Sequence, residues 1–222
     1  DVESPQIDTF PADITLDSSP GACTGIATWA SATASDCTGI SSLGTDHASG
    51  SEFPIGTTTV TVLATDGAGN SSSATFDVTV LDAGPPTISQ MPGAIVLNNF
   101  PGQCSAIATW TTPIATDCSS VAMSGDSTSG SIFQVGTSLV TYTPVDAAGN
   151  TSLASFEITI LDTEAPFFTN VASQLSFDTT PGLCVGTATW DPAQAGDLCG
   201  SATATSSHSP GSQFPIGLTE VT

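Results

Sequence analysis

Six cysteines carry the most defined chemistry in this chain. Cys23 and Cys37 recur as Cys104 and Cys118, and again as Cys184 and Cys199, two in each block of 80 or 81 residues. Paired cysteines at fixed places suit a disulfide framework in an oxidising compartment. The expected bridges join Cys23 to Cys37, Cys104 to Cys118 and Cys184 to Cys199. Closing a loop of about 15 residues contributes roughly 3 kcal/mol in the chain-entropy model. A zinc thiolate centre is the alternative, but two cysteines per block with no repeated histidine cannot fill a tetrahedral site.

Oxygen donors form the second set. Asp66 and Asn70 bracket the run Asp-Gly-Ala-Gly-Asn, and Asp146 and Asn150 bracket Asp-Ala-Ala-Gly-Asn. Asp82, Asp162 and Glu164 lie in short acidic links between blocks. Carboxylates and amides gathered where blocks meet would suit calcium, a hard cation that takes oxygen ligands. The competing role for Asp66 and Asn70 is to hold a tight turn through side-chain-to-backbone bonds. That role takes precedence, because there is no dense Asp-x-Asp-x-Asp run. No other cofactor is indicated. Asn70-Ser-Ser and Asn150-Thr-Ser also match the N-glycosylation acceptor pattern, a weak signal in a chain this rich in Ser and Thr.

Catalytic chemistry has little to stand on. His47 and His208 are equivalent, but the middle block has Ser127 there. No serine sits in a nucleophile-elbow context, and the carboxylates are scattered rather than paired. No residue is assigned a catalytic role, and the chain is not expected to be an enzyme.

Composition narrows the partners. There is no Lys or Arg against 21 acidic residues, giving a net charge of −21. Nucleic-acid phosphate needs a basic patch and is excluded as a partner, and the same lack argues against docking on anionic membrane surfaces. No run of 18 apolar residues is present, so no membrane insertion is expected. Only 9% of residues are charged and 39% are hydrophobic, which is enough to build a core.

The elements that position these groups have a period of two. Val60, Val62 and Ala64 share one face of a strand, as do Phe76, Val78 and Val80 in the next, with Phe156, Ile158 and Ile160 repeating the second pattern. Cys23, Gly25, Ala27 and Trp29 line a face of an earlier strand, whose small residues leave room for the indole. The Asp66–Asn70 run between the two long strands reads as a hairpin turn. About seven short strands per block predict an all-β fold of tandem immunoglobulin-like β-sandwiches, about 80 residues each, arranged as a rod. The acidic, proline-containing links set the modules at 1–81, 82–161 and 162–222, the last incomplete at its C-terminal hairpin.

The ordered set Pro-Gly-x-Cys, Ala-Thr-Trp, Asp-Cys, Gly-Ser-x-Phe-x-x-Gly-Thr, Asp-x-Ala-Gly-Asn and a closing Leu-Asp resembles the hyalin repeat (HYR) family over essentially the whole chain. The resemblance implies extracellular immunoglobulin-like modules of adhesion and matrix-type proteins. Many such modules carry a further cysteine pair; here Phe10 and Met91 stand at its first position, so one bridge per module is expected.

The expected function is therefore structural or adhesive. The chain would be a disulfide-stapled spacer in a long extracellular protein, secreted or at a cell surface, within a fibre or filament. Its partners would be further repeats of the same chain or neighbouring copies of the same protein, with a glycan or cell-surface ligand as a further class. The alternative is an accessory carbohydrate- or protein-binding region of a secreted enzyme or lectin. The unfinished third copy reads as a slice of a longer chain, ahead of completion by a strand donated from another chain.

Overall fold

Strand alternation dominates the molecule. The computed structural model describes residues 1–222 and contains strands, turns and loops but no helix. The first repeat holds eight strands: β1 (Gln6–Thr9), β2 (Ile14–Asp17), β3 (Thr24–Ile26), β4 (Thr33–Ser35), β5 (Ile40–Thr45), β6 (Glu52–Pro54), β7 (Gly56–Asp66) and β8 (Ser71–Leu81). The second repeat follows the same order: β9 (Thr87–Ser89), β10 (Ile95–Asn98), β11 (Ser105–Ile107), β12 (Ile114–Thr116), β13 (Val121–Gly125), β14 (Ile132–Gln134), β15 (Gly136–Asp146) and β16 (Ala154–Leu161). The third contributes β17 (Phe167–Asn170), β18 (Val185–Thr187), β19 (Gln194–Gly196) and β20 (Gln213–Pro215). The expected count of about seven strands per copy is thus eight in each of the first two.

In the first repeat the main sheet runs β2-β8-β7-β5. β7 and β8 form a long antiparallel hairpin from Gly56 opposite Val80 to Thr65 opposite Ser71. β2 joins β8 in parallel, Ile14 opposite Val78. Two short antiparallel pairs, β1 with β4 and β3 with β6, complete the repeat. The order recurs in the second repeat as β10-β16-β15-β13.

Contacts gather the chain into two compact units. One comprises residues 1–91, 112–126 and 141–155, and the other 92–111, 127–140 and 156–222. In the first unit, Val60, Val62, Phe76, Val78 and Val80 pack with Phe53 and Ala27. Trp29 meets Phe76 edge-on, with ring centroids 5.2 Å apart, and also touches Phe53. In the second unit Trp110 makes the same contacts with Phe133 and Phe156 over buried Ala106, Ala108, Ile158 and Ile160. Trp190 packs on buried Phe214 in the same unit. Small residues beneath each indole let it face the core. A Cβ at Gly25 would lie 3.0 Å from the Leu16 side chain, and one at the equivalent Gly186 2.8 Å from the Phe177 ring.

Truncating a buried aromatic on the alternating face should be costly. Phe76→Ala is expected to lose about 3–5 kcal/mol in urea unfolding. Leu63→Ala, at a neighbouring site that is 50% exposed, should stay within about 0.5 kcal/mol.

Candidate functional site at the repeat joints

The long central strand decides where the cysteines go. The carbonyl of Cys23 accepts the Ile55 N–H at 3.1 Å, next to Gly56 where β7 begins. The loop after Cys37 lies at the other end of β7, where the Gly67 N–H donates to the Gly39 carbonyl at 3.1 Å. An eleven-residue strand spans roughly 33 Å. Disulfide Cα atoms must lie within about 7 Å, so Cys23 and Cys37 cannot close on each other.

The structure instead links Cys23 to Cys118 and Cys104 to Cys199, with Cα–Cα distances of 5.3 and 5.0 Å. Each bridge joins the first cysteine of one repeat to the second cysteine of the next, 95 residues on. The expected pairings Cys23–Cys37, Cys104–Cys118 and Cys184–Cys199 are therefore corrected. Cys37 and Cys184 are free and exposed. The longer loop matters: about 100 residues closed correspond to about 4.7 kcal/mol in the chain-entropy model, more than the 15-residue loop expected from sequence.

Polar side chains clasp the link beside each bridge. At the first joint, all within the first unit, the Ala83 N–H donates to Ser18 Oγ at 3.2 Å. From the following repeat, Asn150 Nδ2 donates to the Asp82 carbonyl at 3.1 Å, and Ser152 Oγ to the Pro86 carbonyl at 2.6 Å. At the second joint, within the second unit, Asn99 occupies the position of Ser18. Its Oδ1 accepts the Thr163 N–H and hydroxyl at 3.1 and 2.9 Å, while its Nδ2 donates to the Gln103 carbonyl at 2.9 Å. Glu164 accepts from the Gly102 N–H. Asn99 is buried, and these bonds satisfy it.

The acidic residues gather at the same ends. Carboxylate oxygens of Asp82, Asp117 and Asp146 lie within 4.8 Å of one another, and those of Asp1, Asp36 and Asp66 form the equivalent group in the first repeat. Asp82 Oδ2 is buried with no hydrogen-bond partner. Asp66 and Asp146 also hold their turns. Asp66 Oδ1 accepts the Ala68 and Asn70 N–H groups at 2.9 and 2.8 Å, and Oδ2 accepts Asn70 Nδ2 at 2.9 Å. Asp146 makes the matching bonds with Asn150 at 2.7 and 2.8 Å. Burial pushes both carboxyls up, but the bonds from the Asn side chain and the turn backbone outweigh it and hold both below the ordinary 3.8. Asp162 does not join a three-carboxylate group; it lies near Asp197 around Gly200, and its Oδ1 accepts the Glu164 N–H.

Asp66, Asp82 and Asp146 thus reach the clusters, while Asn70 and Asn150 serve them as donors. Asp1, Asp36, Asp117, Ser18 and Asn99 are additions that sequence reasoning missed. The signal was available for three of them: Asp36 and Asp117 directly precede Cys37 and Cys118 in register, and Asp1 stands one repeat before Asp82.

Tandem sandwiches crossed by disulfides at their joints define a modular repeat protein held in an oxidising environment. The chain belongs to the HYR domain family, whose model matches residues 1–80 and 81–160. It is 35% identical to Hyalin of Strongylocentrotus purpuratus over 180 residues, covering 78% of this chain and 15% of that protein. It is 34% identical to Hyalin of Lytechinus variegatus over 184 residues, covering 78% of this chain and 34% of that protein. Similarity at 33% identity over 178 residues extends to the Rattus norvegicus Sushi, von Willebrand factor type A, EGF and pentraxin domain-containing protein 1, covering 75% of this chain and 5% of that one. The chain spans about a third or less of the length of these relatives. Among solved structures, protocadherin gamma B2 extracellular cadherin domains 3–6 align with 15% identity and a TM-score of 0.37, over 72% of this chain and 53% of that one. No helix is long and apolar enough to cross a membrane.

Two outcomes follow from the turn carboxylates. Their folded pKa values lie below the unfolded value, so their contribution is complete above it and is lost as pH falls through the folded value. The thermal midpoint should be flat above about pH 5 and drop below about pH 4, and Asp66→Asn with Asp146→Asn should flatten that drop. The amide nitrogens of Asn70 and Asn150, which would carry N-linked sugar, donate to both an aspartate and a link carbonyl. A sugar would remove one donor hydrogen from each, so peptides covering Asn70 and Asn150 should be unglycosylated by mass spectrometry.

Proposed function

We propose that this chain is a structural or adhesive segment of a long extracellular protein, secreted or at a cell surface, that acts as a spacer within a fibre or filament. One observation carries this reading: the covalent bridges cross the joints between repeats rather than closing inside them. A bridge inside a module stabilises that module. A bridge between modules, with the link clasped by polar side chains beside it, limits how far two neighbours separate under load. The natural partners are further repeats of the same chain or neighbouring copies. The role is non-catalytic: His47 packs on Phe53 and bonds Asp46, and His208 packs on Phe214.

The two bridges enclose overlapping loops, which makes the mechanical consequence calculable. Pulling on the two ends extends only residues 1–23, 104–118 and 199–222. That is roughly 60 residues, or about 210 Å at about 3.5 Å per residue. The reduced chain should extend to roughly 780 Å. Single-molecule stretching with and without reductant checks this. A limit near 630 Å without reductant would match bridges closed within copies and contradict the spacer mechanism.

We further propose that the carboxylate clusters take calcium. Three carboxylates with no Lys or Arg in the chain to pair with, and one buried oxygen without a donor, fit a hard divalent cation. The thermal midpoint should rise with calcium and return with chelator, and Asp82→Asn should reduce the rise. A midpoint unmoved by calcium contradicts the site.

A further inference from the structure

The two free cysteines occupy complementary positions. Cys37 stands at the repeat position of Cys118 and Cys199, both bonded to the preceding repeat. Cys184 stands at the position of Cys23 and Cys104, both bonded to the following repeat. Each free thiol is thus the counterpart of two that are already bridged.

Local geometry matches as well as register. In the turn before the first cysteine, the Ser19 N–H donates to the Thr24 carbonyl at 2.7 Å and the Ala22 N–H to the Ser19 carbonyl at 2.9 Å. The same two bonds recur before Cys104, Phe100 to Ser105 and Gln103 to Phe100, both at 2.9 Å. They recur again before Cys184, Thr180 to Val185 and Leu183 to Thr180, both at 2.9 Å. Around the second cysteine, the Asp36 carboxylate caps the turn by accepting the Thr38 N–H at 2.7 Å, and Asp197 does so for the Cys199 N–H at 2.9 Å. Asp1, Asp36 and Asp66 reproduce the carboxylate group that flanks the Cys23–Cys118 joint. The exposed thiols therefore sit in surroundings built like those of the bridged ones.

We propose that Cys37 and Cys184 are the two open halves of the same inter-repeat bridge. Cys37 takes the first cysteine of an HYR-type repeat on its N-terminal side, and Cys184 takes the second cysteine of one on its C-terminal side. The chemistry is thiol–disulfide exchange with a small disulfide such as oxidised glutathione. One protein thiolate attacks the small disulfide, forming a mixed disulfide and releasing one glutathione thiolate. The second protein thiolate then displaces the other glutathione, and the two protons lost by the cysteines end on the two released thiols. The incoming repeat belongs either to the same longer chain or to a second copy. This site is independent of whether the protein is a spacer or an adhesin.

Complementary single variants test it. Cys37→Ser keeps only Cys184 free, and Cys184→Ser keeps only Cys37 free. Under a glutathione redox buffer, an equimolar mixture should give a covalent heterodimer at least tenfold in excess of the homodimer formed by either variant alone, with Cys37 linked to Cys184 in its peptides. Equal dimerisation of each variant alone and of the mixture would overturn the proposal. In protein from its natural source, both thiols should resist alkylation until reduced. Loss of size on reduction then identifies separate chains, and unchanged size identifies repeats of one chain. Alkylation of both cysteines without reductant would also overturn it.

Discussion

The length of one β-strand governs the rest of this structure. β7 runs eleven residues from Gly56 to Asp66, and the first and second cysteines of the repeat are fastened beside its opposite ends. No rotamer choice bridges roughly 33 Å, so each cysteine must look outward to a neighbouring repeat. The same strand supplies Val60, Val62 and Ala64 to the core and carries Asp66 to the turn. Core, turn and joint are therefore parts of one hairpin. A change in its length would shift all three together.

Charge is the second constraint. With no Lys or Arg, the chain has no side-chain cation other than its two histidines to set against 21 acidic groups. Apart from the Asp46–His47 contact, the structure answers with hydrogen bonds. Asp66 and Asp146 are wrapped by the N–H groups of their own turns, Asp126 accepts the Thr141 N–H, and Asp46 accepts the Thr61 N–H. At Asp46 the His47 hydrogen bond is the largest influence and lowers its pKa, with the Thr61 backbone acting in the same direction. Carboxylates crowd together at one end of each of the first two repeats, as Asp1, Asp36 and Asp66 in the first and as Asp82, Asp117 and Asp146 at the first joint, where Asp82 Oδ2 has no donor.

Most of the fold was legible in the sequence because alternation reports burial directly. Val60 and Val62 alternate on one strand and Phe76, Val78 and Val80 on the next, and all are buried. The Asp66–Asn70 turn was legible because its residue types fit a tight hairpin connection. The disulfide partners were not. Spacing places Cys23 fourteen residues before Cys37, and proximity in sequence favours that pairing, but the chain between them travels from one end of the repeat to the other. The constant 95-residue separation of the true pairs is equally present in the sequence; it gains meaning only once the strand length is known. Asn99 carries no repeat signal because its counterpart is Ser18, and the two share a role as link-clasping residues without sharing a type.

The covalent bridge across the first joint is tested most directly by cutting the link. A specific protease site inserted after Ala83 lies in the exposed link between repeats. After complete cleavage, the bridged protein should still migrate as one intact species without reductant and separate into two fragments with it. Two separate fragments in the absence of reductant would show that Cys23 and Cys118 are not joined, and would contradict the account.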